Sequence, residues 1–311
     1  MRVVIDTNRL QSHELGIFLS ADRTNIAILP EHTIVEVFKQ NALDQVYLSF
    51  EVISAFPDQI AILRSNRHVA DIDVRYPGFA NRFLDKSATR GLPEFFQILA
   101  AAKAGNVRLQ AQLLERRKWA LERIDKGMLA FGDAAEELAT LRSQFDRSDL
   151  AALSRNERTS RDFKILLFDL TTSVADDLWR QRTSKSLIPG NSRFNDFTWR
   201  YVLCHLLRLL YLAAEGGVRR KPSKLINDHF DNVFATYGTY FNGLMTNDVD
   251  AQRTYLVART VLEFLGGRVP EDYIGGGYIL EAIERYEAHA PGVVGGETEG
   301  VPAAEDAAKL L

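Results

Sequence analysis

The sequence predicts an α/β fold in which helices flank a central parallel sheet and a large, all-helical insertion interrupts the chain. Two short apolar segments, near the two ends of the chain, are predicted strands that end in Asp6 and Asp248. Functional groups of parallel sheets collect beyond the carboxyl ends of the strands, so we expect both carboxylates in one crevice. The long stretch between them repeats apolar residues at three- and four-residue spacing, which predicts helices.

The beginning of the chain is predicted to alternate short strands with helices. Arg2–Asp6 is the first strand and His13–Ser20 a short helix, and Asn25–Leu29 is apolar enough for a strand that is buried on both faces. Residues 30–40 form the next helix, because proline is well tolerated in a first turn. A further helix and then a strand near Ile60–Leu63 complete this part.

The middle of the chain is predicted to be helical, with glycine and proline at the breaks between helices. We divide the sequence into an α/β core of residues 1–65 and 224–275, a helical insertion of residues 66–223 and a C-terminal helix of residues 276–290. Residues 291–311, rich in glycine, alanine, glutamate and proline, are predicted to be a disordered tail. The predicted helices of the insertion are Phe95–Ala104, Arg108–Lys126, Ala134–Phe145, Asp162–Gln181 and Asp196–Glu215.

The second part of the core begins with a predicted helix, Lys224–Tyr240, that carries Asp228 and Asp231 three residues apart and therefore on one face. Either acid could face a functional site, and helix capping is the structural alternative for Asp228. The last helix of the core, Ala251–Leu265, is expected to be capped by Asp250 and to stop at a glycine pair.

Composition is that of an ordinary globular protein, with 46% hydrophobic and 25% charged residues among 311. The longest apolar run, Val202–Ala214, is too short to span a bilayer, and no signal peptide precedes the first strand. The single cysteine, Cys204, excludes an internal disulfide and is expected to be a buried structural thiol. We therefore expect a cytoplasmic protein without a membrane partner.

Charge is divided unevenly along the chain. The whole chain has 38 lysines and arginines and 41 acids. Residues 86–224 hold 25 of these basic residues and 16 of the acids, so the rest of the chain holds 13 basic and 25 acidic residues. Such asymmetry is typical of a segment that faces a polyanion, although a solvated helical surface gives the same balance. For the basic cluster at residues 116–118 we favour a solvated helix face that Trp119 anchors in the core, over a surface that tracks phosphates.

Four acids are predicted to converge, namely Asp6, Glu36, Asp231 and Asp248. Like charges held together are costly unless a cation neutralises them, and oxygen-only ligands suit Mg²⁺ or Mn²⁺ rather than zinc. The histidines lack zinc-ligand spacing, and neither a phosphate-binding glycine loop nor a nucleophile elbow is present. Phosphatases of the haloacid dehalogenase type need a second Asp where this chain has Asn8.

The order of these acids resembles that of the PIN-domain (VapC-like) metal-dependent nucleases. Residues 5–8, Ile-Asp-Thr-Asn, match the first motif of that family, and residues 30–36, which end in Glu36, match the second. Asp231 with Ala235 matches the third motif, and residues 244–248, Leu-Met-Thr-Asn-Asp, match the fourth. The resemblance covers under half of the chain, and Glu36 and Asp231 are separated by far more residues than a compact PIN domain needs.

The resemblance implies a PIN-like sheet with one or two Mg²⁺ or Mn²⁺ ions bound by the four acids. The implied catalytic and metal-binding residues are Asp6, Glu36, Asp231 and Asp248. Among the implied accessory groups, Asn8 and Thr246 would hold the carboxylates in position by hydrogen bonds, and Asp228 would help to bind the metal or orient a neighbouring group. Those accessory residues are Asn8, Asp228 and Thr246, and the expected substrate contacts are Arg219, Arg220 and Lys221, which precede the third motif.

A PIN-like chain is expected to be a metal-dependent phosphodiesterase that cleaves nucleic acid, most often an endoribonuclease, through a metal-activated water. Two alternatives stay open, a catalytically weak PIN-like scaffold or nucleic-acid-binding protein and a structure-specific DNA nuclease. RNA is the favoured partner, and a homodimer or a protein inhibitor is also compatible with the sequence. Roles in RNA processing, in defence or as a toxin are equally open.

Overall fold

A parallel sheet lies at the centre of the described part of this computed structural model, which comprises residues 1–39, 42–128, 140–155, 157–183, 187–215 and 222–273. All strand pairs in this part are parallel, and the fold is mostly helical, at 68%. The predicted α/β fold is therefore confirmed. The strands are β1 (Arg2–Ile5), β2 (Ile26–Leu29), β3 (Ile60–Ile62) and β4 (Leu244–Met245), in the order β3-β2-β1-β4.

The strands form where short apolar runs can be buried on both faces of the sheet. Beyond Arg2, every residue of the four strands is apolar, and most are branched at Cβ, which suits a pleated and covered surface. Val4 lies opposite Ile28 of β2 on one side and opposite Leu244 of β4 on the other. Strand β1 is therefore the central strand through which β2 and β4 are aligned.

The pairing of β1 with β4 extends beyond the two residues of β4. The amide of Val4 donates to the carbonyl oxygen of Gly243 at 3.0 Å, and the amide of Asp6 donates to that of Met245 at 3.0 Å. Gly243 has a φ of 134°, and a Cβ at this position would overlap the ring of Tyr273. Only glycine therefore fits at the entrance to β4.

Helices cover both faces of the sheet. Those with complete bounds in the described part are α1 (His13–Ala21), α2 (Glu31–Phe38), α3 (Leu43–Ser54), α4 (Asn66–Ala70), α5 (Lys86–Arg90), α6 (Leu92–Lys103), α7 (Val107–Met128), α8 (Arg147–Ser154), α9 (Arg161–Thr183), α10 (Phe197–Ala214), α11 (Pro222–Gly238) and α12 (Val249–Phe264). The long predicted helices match these bounds within a few residues. Helices α4, α5 and α8 were not predicted, because so few turns show no clear apolar periodicity.

Helix α12 begins at a different residue from the one predicted. Its N-cap is Asp248, whose Oδ1 accepts a hydrogen bond from the amide of Ala251 at 2.8 Å. The expectation that Asp250 caps this helix was wrong. Asp250 already lies inside the first turn, and its carboxylate contacts the guanidinium of Arg208, at 2.6 Å.

The helical insertion and the α/β core share one hydrophobic core. Helix α10 of the insertion packs against α8 and α9 and also against α11 and α12, which belong to the core. Almost all of α10 is buried, including Trp199 and Tyr211. Cys204 is also buried, as predicted, and burial raises the pKa of its thiol to about 12.

Helix α7 packs against α2 and α11, and its buried residues include Leu113 and Ala120. The basic cluster at residues 116–118 therefore lies on a helix that contacts both helices carrying Glu36 and Asp231. Trp119 does not anchor this helix in the core, because 43% of its surface is exposed. The side chain lies outside the buried stripe that Leu113 and Ala120 define, so that part of the prediction was wrong.

Several sequence predictions fall outside the described residues. These are the first half of the predicted helix Ala134–Phe145, the C-terminal helix of residues 276–290, the tail of residues 291–311 and the basic loop with Arg219, Arg220 and Lys221. Among the helices that are described, none has both the length and the apolar character needed to cross a membrane.

Candidate metal centre

The candidate site lies at the carboxyl edge of the sheet, where the direction of the strand order changes. From β1 the chain continues to β2 on one side, whereas β4 pairs with β1 on the other side. Ligands of open parallel sheets bind in the crevice at such a switch point. Asp6 directly follows β1 and Thr246 directly follows β4, so both side chains start at this crevice.

Asp6 is buried and is held from both neighbouring segments. Its Oδ2 accepts hydrogen bonds from Asn8 Nδ2 at 2.7 Å and from Thr246 Oγ1 at 2.5 Å. Burial raises the pKa of this carboxyl to about 6, and repulsion from Glu36 and Asp248 acts in the same direction, although the bond from Thr246 opposes it. The hydrogen bonds therefore orient the carboxylate of Asp6, but they do not fully offset the cost of burying its charge.

Asn8 and Thr246, two of the three predicted accessory residues, connect the beginning of the chain to the segment after β4. The side-chain oxygen of Asn8 accepts from the amide of Asn247 at 2.9 Å, and the hydroxyl oxygen of Thr246 accepts from the amide of Asp248 at 2.9 Å. Both side chains also contact Asp6. Their contacts are those expected of groups that hold a carboxylate in position.

Glu36 lies on α2 and has two polar partners. Its Oε2 accepts a hydrogen bond from Thr7 Oγ1 at 2.6 Å, and its Oε1 forms an ion pair with Lys39 Nζ at 3.1 Å. The ammonium of Lys39 also donates to Asn227 Oδ1 at 3.2 Å, which connects α2 to α11. The partner that a carboxylate among valines and phenylalanines requires is therefore partly supplied by a lysine.

Asp231 shows the strongest electrostatic strain among these acids. Burial raises the pKa of its carboxyl to about 9, with further contributions from the negative charges of Asp248, Asp6 and Glu36. A raised pKa means that the ionised form is disfavoured where it lies. Asp231 therefore belongs to a group of acids whose charges remain incompletely balanced.

The four predicted acids line a single pocket of about 410 Å³. Each acid comes from a different part of the fold: the end of β1, helix α2, helix α11 and the N-cap of α12. The structure therefore brings together all four residues that the sequence predicted. The remaining residues of the pocket wall are Thr7, Asn8, Gln11, Lys39 and Asn227.

Asp228, the other acid on this face of α11, has a different environment. It is buried, does not line the pocket and accepts a hydrogen bond from Arg208 Nη2 at 2.7 Å. Arg208 is only 2% exposed at its side chain and also contacts Asp250, and these two acids raise its pKa although burial alone would lower it. Of the two candidates on α11, Asp231 is therefore the one that faces the pocket.

Several polar residues of the site were not predicted from the sequence. The contact of Lys39 with Glu36 could have been predicted, because the two residues are three apart on one predicted helix and such pairs interact. Arg208 interrupts an apolar helix, and a buried cation requires an acidic partner, although the sequence does not say which one. Gln11 and Asn227 gave no signal at all.

The donor chemistry of the pocket fits a hard divalent cation, because its charged oxygen ligands are all carboxylates. Within the described ranges, however, no group of three or more histidine, cysteine, aspartate or glutamate side chains is arranged so that it could hold a metal ion. Mg²⁺ usually keeps several waters and is bound through one or two carboxylates together with substrate phosphates. The pocket therefore fits a hydrated ion and does not fit a dehydrated cage of protein ligands.

No protein-family model, no curated protein and no solved structure matches this chain. The resemblance to PIN-domain nucleases therefore depends on the four sequence motifs. Independently of that resemblance, the sheet order and the shared pocket show that the acids of those motifs lie at one edge of the sheet. These physical features are the basis of the functional proposal.

The raised pKa of Asp231 predicts a stability gain on removal of its charge. An acid whose folded pKa exceeds its unfolded value destabilises the fold increasingly as pH rises from about 4 towards the folded pKa. Without divalent ions, Asp231→Asn should increase the free energy of unfolding at about pH 8 by on the order of 3 kcal/mol, and by much less at about pH 4.5. Urea denaturation at both pH values, in EDTA, measures this difference.

The matched control for that experiment is Asp58→Asn, because Asp58 is exposed and lies outside the pocket. It should change stability little at either pH. A loss of stability in Asp231→Asn, or a gain that does not grow with pH, would contradict the repulsion inferred for Asp231.

The two acids of α11 are predicted to have opposite effects on stability. Asp228→Asn removes one partner of the buried Arg208 and should lower the free energy of unfolding by about 2–4 kcal/mol, whereas Asp231→Asn should raise it. Asp250→Asn should lower the free energy of unfolding by less than Asp228→Asn does, because the side chain of Asp250 is 29% exposed. Denaturation of the three variants under one condition gives the ranking, and equal losses for Asp228 and Asp231 would refute it.

Proposed function

We propose that this chain is a metal-dependent phosphodiesterase that cleaves nucleic acid, with RNA the favoured substrate and endonucleolytic cleavage the favoured mode. The observation that carries the proposal is the convergence of Asp6, Glu36, Asp231 and Asp248 on one pocket at the switch point of the sheet. Their mutual repulsion contributes to the pKa of about 9 at Asp231. A bound divalent cation offsets such repulsion, so the pocket has a physical reason to bind one.

The four acids would hold Mg²⁺ or Mn²⁺ through one or two carboxylates at a time. When bound, such an ion supplies a water of lowered pKa and neutralises charge on the leaving oxygen. Thr246 and Asn8 fix the orientation of Asp6 through their hydrogen bonds to its Oδ2. Asp248 is held in the same way, because its Oδ1 accepts the amide of Ala251 at the start of α12.

The pocket wall supports water rather than a side chain as the nucleophile. In the described part of the chain, the wall includes no serine, cysteine or histidine, and its hydroxyl group belongs to Thr7. That hydroxyl donates to Glu36 Oε2 at 2.6 Å, so it is already committed to orienting an acid. A phosphodiester bond would therefore be cleaved by water that the acids and their ion position.

The charge distribution supports a polyanionic substrate. Residues 86–224 carry an excess of nine positive charges, whereas the acids lie mainly elsewhere. Helix α7, which carries the basic cluster at residues 116–118, packs against α2 and α11, the helices that carry Glu36 and Asp231. A basic helix that packs against two helices of the acidic pocket suits a polyanionic substrate that extends beyond the pocket.

A catalytically weak, PIN-like nucleic-acid-binding or scaffold protein is the second candidate function. It is favoured by the absence, among the described residues, of a group of three or more potential ligands arranged to hold a metal ion. The ion pair of Glu36 with Lys39 also neutralises one acid without any metal. The two candidates differ in whether Mn²⁺ produces cleavage.

The test is incubation of the purified full chain with labelled single-stranded RNA and DNA of one sequence, in Mn²⁺, in Mg²⁺ or in EDTA. We expect cleavage of RNA that requires the metal, a loss of at least 100-fold in Asp231→Asn and little change in the exposed control Asp58→Asn. Preferential cleavage of DNA would favour the structure-specific DNA nuclease. RNA binding without cleavage in any metal would favour the scaffold.

A second prediction concerns the basic residues. Contacts of lysine and arginine with phosphates release counterions, so the binding constant falls as the salt concentration rises. In a plot of log binding constant against log salt concentration, each contact with a single strand contributes about 0.7 to the magnitude of the slope. Replacing residues 219–221, Arg-Arg-Lys, with alanine should reduce that slope by about two units and raise KM. The same change at residues 116–118 should have a smaller effect.

Replacement of Arg155 and Arg180 with alanine is the control for the salt experiment. Both are exposed residues of the insertion, and each already pairs with a neighbouring acid. Salt slopes that stay unchanged in both triple variants would mean that the positive charge of the insertion is only a solvated surface.

A further inference from the structure

Lys39 is the cation of the pocket wall in the described part of the chain. It is the C-cap of α2, and its side chain is about one third exposed. Its ammonium lies 3.1 Å from Glu36 Oε1 and 3.2 Å from Asn227 Oδ1. The same ammonium lies 5.8 Å from the centroid of the Phe230 ring. Lys39 therefore has one charged partner, which belongs to the acidic group, and two neutral partners on α11.

A divalent cation and Lys39 would compete for the same carboxylate. The ammonium and the metal are both positive, so an ion at Glu36 repels Lys39 while it takes over the partner of that lysine. The contacts with Asn227 and Phe230 do not depend on Glu36, and they would keep the displaced ammonium at the wall of the pocket. A lysine ammonium is a compact charge that binds phosphate oxygens well.

We propose that Lys39 has two alternating partners, Glu36 in the metal-free pocket and a phosphate oxygen of bound nucleic acid when a divalent cation occupies Glu36. The inference rests on the proposed function and adds a substrate-contacting residue to it. Lys39 would limit the repulsion among the acids before the ion binds. It would afterwards supply positive charge to the substrate at the place where the ion binds.

A purely structural role makes a different prediction. A lysine at the C-terminal end of a helix stabilises that helix through its dipole, and Lys39 also connects α2 to α11. Loss of such a role would loosen the wall and weaken Mn²⁺ binding. Loss of a competing cation would instead strengthen Mn²⁺ binding, so the sign of the change separates the two roles.

The experiment compares Lys39→Met and Lys39→Arg with Lys103→Met in the full chain. Lys103 is the matched control, because it also pairs with a glutamate, Glu51 at 3.7 Å, but is exposed on α6 and does not line the pocket. Calorimetry measures Mn²⁺ affinity without nucleic acid. Anisotropy of a fluorescent phosphorothioate RNA, whose cleavage by metal-dependent enzymes is slow, measures binding in Mn²⁺ and in EDTA.

We expect Lys39→Met to bind Mn²⁺ about 3- to 10-fold more tightly and to bind the RNA several-fold more weakly in Mn²⁺ only. In Mn²⁺, the slope of its log RNA-binding constant against log salt concentration should decrease in magnitude by about 0.7, the contribution of one phosphate contact. Lys39→Arg should keep most of the RNA affinity, because it keeps the charge. Lys103→Met should match the wild type in all three measurements.

Weaker or unchanged Mn²⁺ binding in Lys39→Met overturns the proposal, as does an equal loss of RNA affinity in EDTA and in Mn²⁺. Thermal midpoints of the variants show whether a loss reflects folding, and Lys39→Arg supplies a second, charge-preserving comparison. A different result would contradict the proposed nuclease activity, namely a wild-type protein that binds Mn²⁺ and RNA but cleaves neither RNA nor DNA. In that case the tighter Mn²⁺ binding and the metal-dependent RNA contact of Lys39 still support the exchange of partners.

Discussion

The pairing of β1 with β4 is the constraint on which the rest of the site depends. It joins residues about 240 positions apart through bonds such as that from the Asp6 amide to the Met245 carbonyl, and from Thr246 Oγ1 to the Asp6 carboxylate. Without it, Asp6 and Asp248 would have no common pocket. Contacts so distant in sequence form at a high entropic cost, which the shared hydrophobic core of insertion and α/β core offsets.

The electrostatics of the fold show how far the acids are neutralised by the protein itself. Arg208 of α10 pairs with Asp228 of α11 and with Asp250 of α12, and it thereby connects the three helices. Lys39 pairs with Glu36 of α2. Burial, together with the negative charges of Asp248, Asp6 and Glu36, still raises the pKa of Asp231 to about 9.

Sequence patterns predicted the helices and strands well, but they predicted the contacts between side chains poorly. The apolar strands and the long helices follow from local periodicity, and the meeting of Asp6 with Asp248 follows from the rule that parallel strands gather functional groups at one edge. Glu36 and Asp231 lie on helices, and they were selected through the resemblance to the PIN-domain motifs. The ion pairs of Arg208, the cap formed by Asp248 and the exposure of Trp119 depend on which elements pack together. Periodicity identifies a buried face, but it does not identify the residue that lies opposite.

Asp231 belongs to a group of acids that repel one another, and we propose that a divalent cation reduces this repulsion. Ionisation of an acid with a pKa of about 9 must accompany metal binding near neutral pH, so binding should release a proton. Calorimetric titration with Mn²⁺ in buffers of different ionisation enthalpy counts the protons released. We predict about one proton for the wild type and none for Asp231→Asn; Mn²⁺ binding without proton release, or no binding at all, would contradict the account.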